Sequence, residues 1–158
     1  MRVKDIVEEN FQDYKKPSMF IATCFCTWKC CIENGNNICQ NIDIVKQPTL
    51  NISDEVIVNK YIKNPITHAI LFGGLEPFEQ WEELIALIDK FRQFTDDDIV
   101  IYTGWNKTEI YEKIVYLFTH YKNVVIKFGR YIPNKKSRYD DILGVTLASD
   151  NQYAEKIS

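Results

Sequence analysis

Apolar and polar positions along the chain form a pattern that predicts short buried strands separated by amphipathic helices. Short apolar runs occupy residues 18–23, 68–72, 99–102 and 124–128. Runs of this length, bounded by polar residues, are typical of buried strands. A further short strand is predicted at residues 145–147, before a polar tail.

Helices are predicted before and between these strands. Apolar residues at helical spacing predict a helix in residues 3–14, which Pro17 ends. Ser53 suits the N-cap of a second helix, and residues 81–91 and 110–121 form two more amphipathic stretches. The buried faces of the first two helices are predicted to carry Val3, Ile6, Val7, Phe11 and Tyr14, and Val56, Ile57 and Tyr61.

Alternating strands and helices predict an α/β fold with a mostly parallel sheet. Four or five strand–helix units are too few for a closed eight-stranded barrel, which needs about 250 residues. The residues by themselves leave two architectures open, a partial barrel and a doubly wound sheet. Because the sequence contains neither a repeat nor an interdomain linker, a single domain is predicted over residues 1–158.

The unusual motifs each follow the end of a predicted strand. A cysteine-rich segment follows the first strand, and Gly73-Gly74-Leu75-Glu76-Pro77 follows the second. Thr103-Gly104 follows the third strand, and Gly129-Arg130 follows the fourth. Because the carboxyl ends of parallel strands meet at one edge of a sheet, these motifs are predicted to form one site.

Composition and charge exclude some partners. A net charge of −3 at pH 7 argues against a broad basic face for nucleic acid. No apolar run reaches the roughly twenty residues that span a bilayer, and residues 1–10 lack the apolar stretch of a secretory signal. We therefore expect a cytoplasmic protein whose partners include neither nucleic acid nor a membrane.

All five cysteines lie between Cys24 and Cys39, too close together for a disulfide framework that ties distant segments. Crowded cysteines in a cytosolic chain favour a metal site, although a single cysteine is more often a buried thiol. Iron–sulfur clusters need several converging thiolates, which short spacings in a loop allow. Zinc is the competing metal, but the paired C-x₂-C spacing of structural zinc sites is missing, and His68 and His120 fall outside the loop.

The choice of ligands stays open at this level. Adjacent residues rarely both reach one compact metal core, so Cys30 and Cys31 are not both expected to be ligands. If the first strand continues, the side chains of Cys24 and Cys26 point to the same side of it, which makes Cys24 the main alternative to Cys26 as a ligand.

The chain resembles the radical S-adenosylmethionine enzymes, and most closely the activating proteins of anaerobic (glycyl radical, class III) ribonucleotide reductase. Cys26 and Cys30 match the first spacing of the C-x₃-C-x₂-C motif of that superfamily. Ile38-Cys39-Gln40-Asn41 is similar to the end of the motif, with about six residues inserted before it. Further resemblances are Gly73-Gly74-Leu75-Glu76-Pro77 to a GGEP-type segment, Tyr102-Thr103-Gly104 to a T-G segment, Phe128-Gly129-Arg130-Tyr131-Ile132 to D-G-x-F/Y-I with Phe128 in place of Asp, and Ser149-Asp150-Asn151-Gln152 to S-x-N-Q.

The resemblance implies a partial (βα) barrel, an incomplete TIM-like radical S-adenosylmethionine core. It implies that Cys26, Cys30 and Cys39 hold three irons of a [4Fe–4S] cluster, with Cys24 or Cys31 as the alternatives for one of them. Reductive cleavage of S-adenosylmethionine would give methionine and a 5′-deoxyadenosyl radical, with no catalytic side chain beyond the cluster. The residues implied to bind S-adenosylmethionine are Gly73, Gly74, Glu76, Pro77, Tyr102, Thr103 and Gly104.

The implied substrate is a glycine Cα–H in the large subunit of a glycyl radical ribonucleotide reductase, with flavodoxin or ferredoxin as the electron donor. One alternative is a radical enzyme acting on a small molecule of the pterin or deazapurine type. Another is a non-catalytic iron–sulfur or zinc-binding module. Each motif also has an ordinary structural role, because glycines form turns and Glu76 and Pro77 suit a helix start.

Overall fold

A computed structural model describes residues 1–35 and 38–158. Ten strands and five α-helices occur in these ranges. The strands are β1 (Arg2–Val3), β2 (Asp5–Asn10), β3 (Ser18–Thr23), β4 (Leu50–Asn51), β5 (Ala69–Gly74), β6 (Asp98–Tyr102), β7 (Val124–Phe128), β8 (Arg138–Asp140), β9 (Val145–Leu147) and β10 (Tyr153–Lys156). The helices are α1 (Lys29–Asn34), α2 (Ile42–Lys46), α3 (Asp54–Lys63), α4 (Trp81–Arg92) and α5 (Tyr111–His120).

The centre of the fold is a six-stranded, mostly parallel sheet in the order β2–β3–β5–β6–β7–β10. The four inner strands are parallel neighbours, and each successive strand in the chain adds to the same side. Strands β2 and β10 pair antiparallel at the two edges. Within the described ranges the edges do not pair with each other, so the sheet is open rather than a closed barrel.

The two faces of the sheet are covered differently. Ile70 and Phe72 on β5 pack with the buried residues of α3, α4 and α5 in one apolar core. Their neighbours Ala69 and Leu71 point to the opposite face, where Leu143 and other residues outside the helices form a second core. Helices α3, α4 and α5 therefore share one face, unlike a doubly wound sheet, which carries helices on both faces.

Most predicted elements of the α/β fold are confirmed. The strands at 18–23 and 124–128 have the predicted bounds, and those at 68–72 and 99–102 shift by one or two residues. Ser53 is the N-cap of α3, because its side chain accepts from the Val56 backbone N–H at 3.4 Å. Ile57 and Tyr61 are buried as predicted, but Val56 is 46% exposed and does not belong to the buried face.

The helix predicted for residues 3–14 is wrong. This segment contains the end of β1 and all of β2, and β2 pairs antiparallel with β3, with Ile6 opposite Ile21. Val and Ile are stiff at χ1 and favour extended backbone, and the free edge of β3 offers hydrogen-bond partners to the segment. Phe11, which was predicted to lie on a buried helix face, is 61% exposed.

The C-terminal part of the chain contains more sheet than its polarity indicates. The predicted strand at 145–147 is confirmed as β9, but it pairs with β8 in a separate hairpin. Residues in the predicted polar tail form β10, which completes the central sheet beside β7. None of the helices in the described ranges is long and apolar enough to cross a bilayer.

Candidate metal centre

The loops that follow β3, β5, β6 and β7 line one cleft of about 510 Å³. Each strand end or loop contributes to the lining, for example through Cys26, Gly74, Thr103 and Gly129 in that order. The motifs after successive strands thus meet at one edge of the sheet, as the parallel arrangement requires.

Four of the five cysteines line this cleft: Cys26, Cys30, Cys31 and Cys39. Cys24 lies outside the lining, and its backbone N–H donates to the Gln80 side-chain oxygen at 2.5 Å. Of the two rivals at the start of the loop, the fold therefore brings Cys26 and not Cys24 into the cleft.

Two thiol neighbourhoods are found within the cleft. The Cys26 and Cys30 side chains interact electrostatically with each other, as do those of Cys31 and Cys39. In residues 1–35 and 38–158, no three His, Cys, Asp or Glu side chains gather tightly enough for a single metal ion. The thiols of Cys26, Cys30, Cys31 and Cys39 along the cleft are the donor type that iron–sulfur clusters take.

The cysteine loop reaches the cleft through an unusual turn. Trp28, directly before α1, has a left-handed backbone with φ of 60°. A bulky residue rarely adopts this conformation, which marks local strain. The Trp28 backbone N–H donates to the Cys26 Sγ at 3.3 Å. The turn brings Cys26, before the helix, and Cys30, in its first turn, to the same cleft.

The thiols differ in their charged surroundings. Burial, with the nearby Glu76 and Glu79 carboxylates acting in the same direction, raises the pKa of Cys26 to about 12. Burial also raises the pKa of Cys30, but the Arg130 and Lys127 cations act on that pKa in the opposite direction. The Cys30 side of the cleft is therefore the more favourable for a thiolate.

Glu76 connects the loop after β5 with the loop after β6. Only 5% of its surface is exposed, and burial raises the pKa of its carboxyl to about 7. The carboxylate accepts from the Thr103 hydroxyl at 2.7 Å and from the Gly104 backbone N–H at 2.9 Å. It also accepts from the Phe78 backbone N–H at 3.2 Å. The loop after β5 is thereby fixed to the loop after β6, so the geometry favours a structural role for Glu76.

The two glycines at the end of β5 allow close packing against β3. A Cβ at Gly73 would lie 3.0 Å from the Phe20 ring, and one at Gly74 would lie 3.0 Å from the Ala22 Cα. Gly74 also has φ of +81°, where side chains are strained. Its carbonyl accepts from the Asn41 side-chain amide, which joins the end of the cysteine loop to β5. Pro77 begins a 3₁₀ turn (Pro77–Gln80) and does not line the cleft.

Tyr102, Thr103 and Gly104 all line the cleft. The Tyr102 hydroxyl donates to the Asp13 carbonyl at 2.5 Å, so its position is fixed by the segment before β3. A Cβ at Gly104 would lie 3.4 Å from the Cys30 Sγ. Gly104 is thus one of the points where the loop after β6 approaches the cysteine segment.

Lys127 is a site residue that the sequence reasoning missed. It lies on β7, lines the cleft and is only 7% exposed. Its ammonium donates to the Gly129 carbonyl at 3.1 Å, and burial lowers its pKa to about 8. A charged residue inside the apolar run of β7 was the available signal, because lysine is rarely buried without a function or a partner.

Arg130 also stands out through its surroundings. Its side chain is 7% exposed, and Glu109 and Glu33 both lie within ion-pair distance. Its backbone carbonyl accepts from the Asn151 amide at 2.8 Å, and the Gln152 amide donates to the Gly129 carbonyl at 3.2 Å. The C-terminal Ser149-Asp150-Asn151-Gln152 segment therefore holds the loop after β7 in place.

The sequence matches the family described as 4Fe-4S single cluster domain over residues 15–152. The chain belongs to this family, which is associated with radical S-adenosylmethionine-type proteins. Neither the curated proteins nor the solved structures gave a match to the chain. The predicted [4Fe–4S] cofactor is confirmed at the level of the family, and the thiol-lined cleft fits it.

Proposed function

We propose that this 4Fe-4S domain is a radical S-adenosylmethionine activating enzyme. In this proposal Cys26, Cys30 and Cys39 hold the cluster, and S-adenosylmethionine binds beside it in the same cleft. When bound, the cluster supplies the electron that cleaves S-adenosylmethionine reductively. The substrate is a glycine Cα–H in a separate subunit of an anaerobic ribonucleotide reductase.

One observation carries the proposal: four consecutive loops at the carboxyl edge of a parallel sheet share a single cleft with four cysteines. Three thiolates leave one iron of a [4Fe–4S] cluster without a protein ligand, and that iron is open to an external molecule. The family to which the chain belongs supports the same assignment.

In this proposal the side chains and loops of the protein bind and orient S-adenosylmethionine. Gly74 lets β5 pack closely on Ala22 of β3, Gly104 leaves room beside the Cys30 Sγ, and Glu76 connects the two loops through hydrogen bonds. Tyr102 and Thr103 border the cleft on the β6 side, where they would line the adenosine end of S-adenosylmethionine. The cofactor supplies the difficult chemistry, and the protein supplies orientation and shielding.

The architecture supports a protein substrate. Helices α3, α4 and α5 lie on one face of an open, mostly parallel sheet, which in this proposal is part of a (βα) barrel. A glycine-containing segment of a reductase subunit enters the cleft at the carboxyl edge of that sheet. Flavodoxin or ferredoxin serves as the electron donor.

Cys31 favours a second candidate function. Its side chain lines the cleft and interacts electrostatically with Cys39. If Cys31 binds the cluster in addition to the three proposed ligands, contrary to the expectation for adjacent residues, no iron is open and the cluster acts as an electron carrier. In that case the protein neither binds nor cleaves S-adenosylmethionine.

The deciding experiment uses anaerobically reconstituted protein with dithionite and S-adenosylmethionine. The proposal expects about four irons and four sulfides per chain, and formation of 5′-deoxyadenosine. The electron carrier is established instead if the fully loaded protein forms no 5′-deoxyadenosine and its electron paramagnetic resonance spectrum does not change when S-adenosylmethionine is added. Transfer to glycine is then tested with a ribonucleotide reductase subunit and a Gly→Ala variant of it.

A further inference from the structure

Lys127 is a buried cation that forms no ion pair in the described part of the chain, and the carboxylate that acts on its pKa is that of Glu76. Its one hydrogen bond goes to the neutral Gly129 carbonyl at 3.1 Å, and the Tyr102 ring centroid lies 5.8 Å from its ammonium. Burying an ammonium without an opposite charge is costly, so such a group is retained where an anion approaches it.

The other charges around Lys127 are committed elsewhere. Glu76 accepts three hydrogen bonds from its own loops, including those from Thr103 and Gly104. Arg130, the other cation that acts on the Cys30 thiol, is matched by Glu109 and Glu33. Lys127 is therefore the buried cation near Cys30 whose charge is not balanced by an ion pair within the described ranges.

We propose that Lys127 is the counter-charge of the thiolate-bound cluster at its Cys30 end, and that it raises the cluster's reduction potential. The proposal rests on the ligand set proposed above. Net charge and nearby charges set the potential of iron–sulfur clusters, and reduction adds one negative charge. A fixed cation stabilises the reduced form more than the oxidised form, and the effect is large where water is excluded.

The test compares the midpoint potentials of anaerobically loaded wild type, Lys127→Met and Lys127→Arg, measured without S-adenosylmethionine. Dithionite supplies one electron to the cluster in this titration, and no bond forms or breaks. Lys127→Met removes the charge but keeps an apolar stem of similar length. Lys156→Met on the neighbouring strand β10 is the matched control, because Lys156 is exposed and pairs opposite Val125.

We expect Lys127→Met to bind a full cluster and to shift its reduction equilibrium about tenfold toward the oxidised form, which is about 59 mV for one electron. Lys127→Arg and Lys156→Met should stay near the wild-type potential. If Lys127→Met does not fold, Lys127→Gln retains a donor for the Gly129 carbonyl and should show the same shift.

Three results would overturn the inference. The first is a wild-type potential in a fully loaded variant that lacks the Lys127 charge. If S-adenosylmethionine binding weakens in that same variant, Lys127 is a ligand of S-adenosylmethionine instead. The second is an equal shift in Lys156→Met. The third is loss of the cluster from folded charge-removing variants, since Lys127 would then serve assembly. Failure of the proposed ligand set is distinguishable, because it appears as a cluster that survives Cys30→Ala, a side chain that cannot ligate iron.

Discussion

The Arg130 guanidinium donates to both carboxylate oxygens of Glu109, each at 2.8 Å. The Arg130 Nε lies 3.1 Å from the carboxylate of Glu33 on α1, the helix that carries Cys30 and Cys31. Lys29, at the start of the same helix, lies 3.7 Å from the Trp105 ring centroid. The cysteine helix is thus anchored to the loops after β6 and β7 through charged contacts.

Glu109→Gln should destabilise the protein by about 2 kcal/mol, because it leaves the buried Arg130 with a weaker partner. The amide oxygen can still accept from the Asn106 backbone N–H, so the helix start is preserved. Anaerobic urea unfolding measures the change, and the exposed Glu112→Gln is the matched control. Equal stability of Glu109→Gln and wild type would show that this anchor contributes little.

The ion pair between Arg130 and Glu109 predicts that the stability of the fold depends on pH. The hydrogen bonds from Arg130 hold the pKa of Glu109 at about 2, below its ordinary value of 4.5. A carboxyl with a lowered folded-state pKa stabilises the fold above pH 4.5, and that contribution is lost as the pH falls toward 2. The stability advantage of cluster-free wild type over Glu109→Gln should therefore shrink between pH 4.5 and pH 2. A constant difference over this range would contradict the assignment.

Substitution of Cys26, Cys30 or Cys39 by Ala should each abolish cluster assembly, whereas Cys24→Ala and Cys31→Ala should leave most of it. The location of Cys24 outside the cleft supports its part of this prediction. Iron and sulfide analysis of anaerobically reconstituted variants is the measurement. Loss of the cluster in Cys31→Ala but not in Cys30→Ala would show that Cys31, and not Cys30, is the ligand.

Two glycines at the cleft should respond differently to alanine. Gly74→Ala should cost about 1–3 kcal/mol, since φ is positive and the added Cβ would meet Ala22. Gly104→Ala should stay within about 1 kcal/mol of wild type, since its nearest new contact is the Cys30 Sγ at 3.4 Å. Urea unfolding of both proteins tests this contrast.

Gly104→Ala is consequently the cleaner test of the cleft. Added bulk beside Cys30 should weaken S-adenosylmethionine binding about tenfold, which is about 1.4 kcal/mol. Equilibrium binding to the cluster-loaded variant, with iron content measured on the same sample, checks this. Unchanged affinity in a fully loaded sample would place S-adenosylmethionine away from the β6 loop.

Local pattern in the sequence was sufficient for the inner strands and for the helices between them. The strand at Val124–Phe128 is apolar because both faces of the sheet are covered, and Ser53 caps α3 through its own neighbours. Both signals are local, since they depend on burial periodicity and on one side-chain hydrogen bond. The position of the cysteines after a parallel strand likewise located the site.

Only the tertiary structure decided the edges of the sheet and the environment of each cysteine. Residues 3–14 have helical spacing, yet residues 5–10 extend along β3, because pairing with a neighbouring strand outweighs local preference. Cys26 lines the cleft and Cys24 does not, and Lys127 on β7 and Arg130 in the loop after it act on Cys30 from about a hundred residues away. Sequence determined which chemistry the chain carries, while long-range packing determined which thiols and charges face one another.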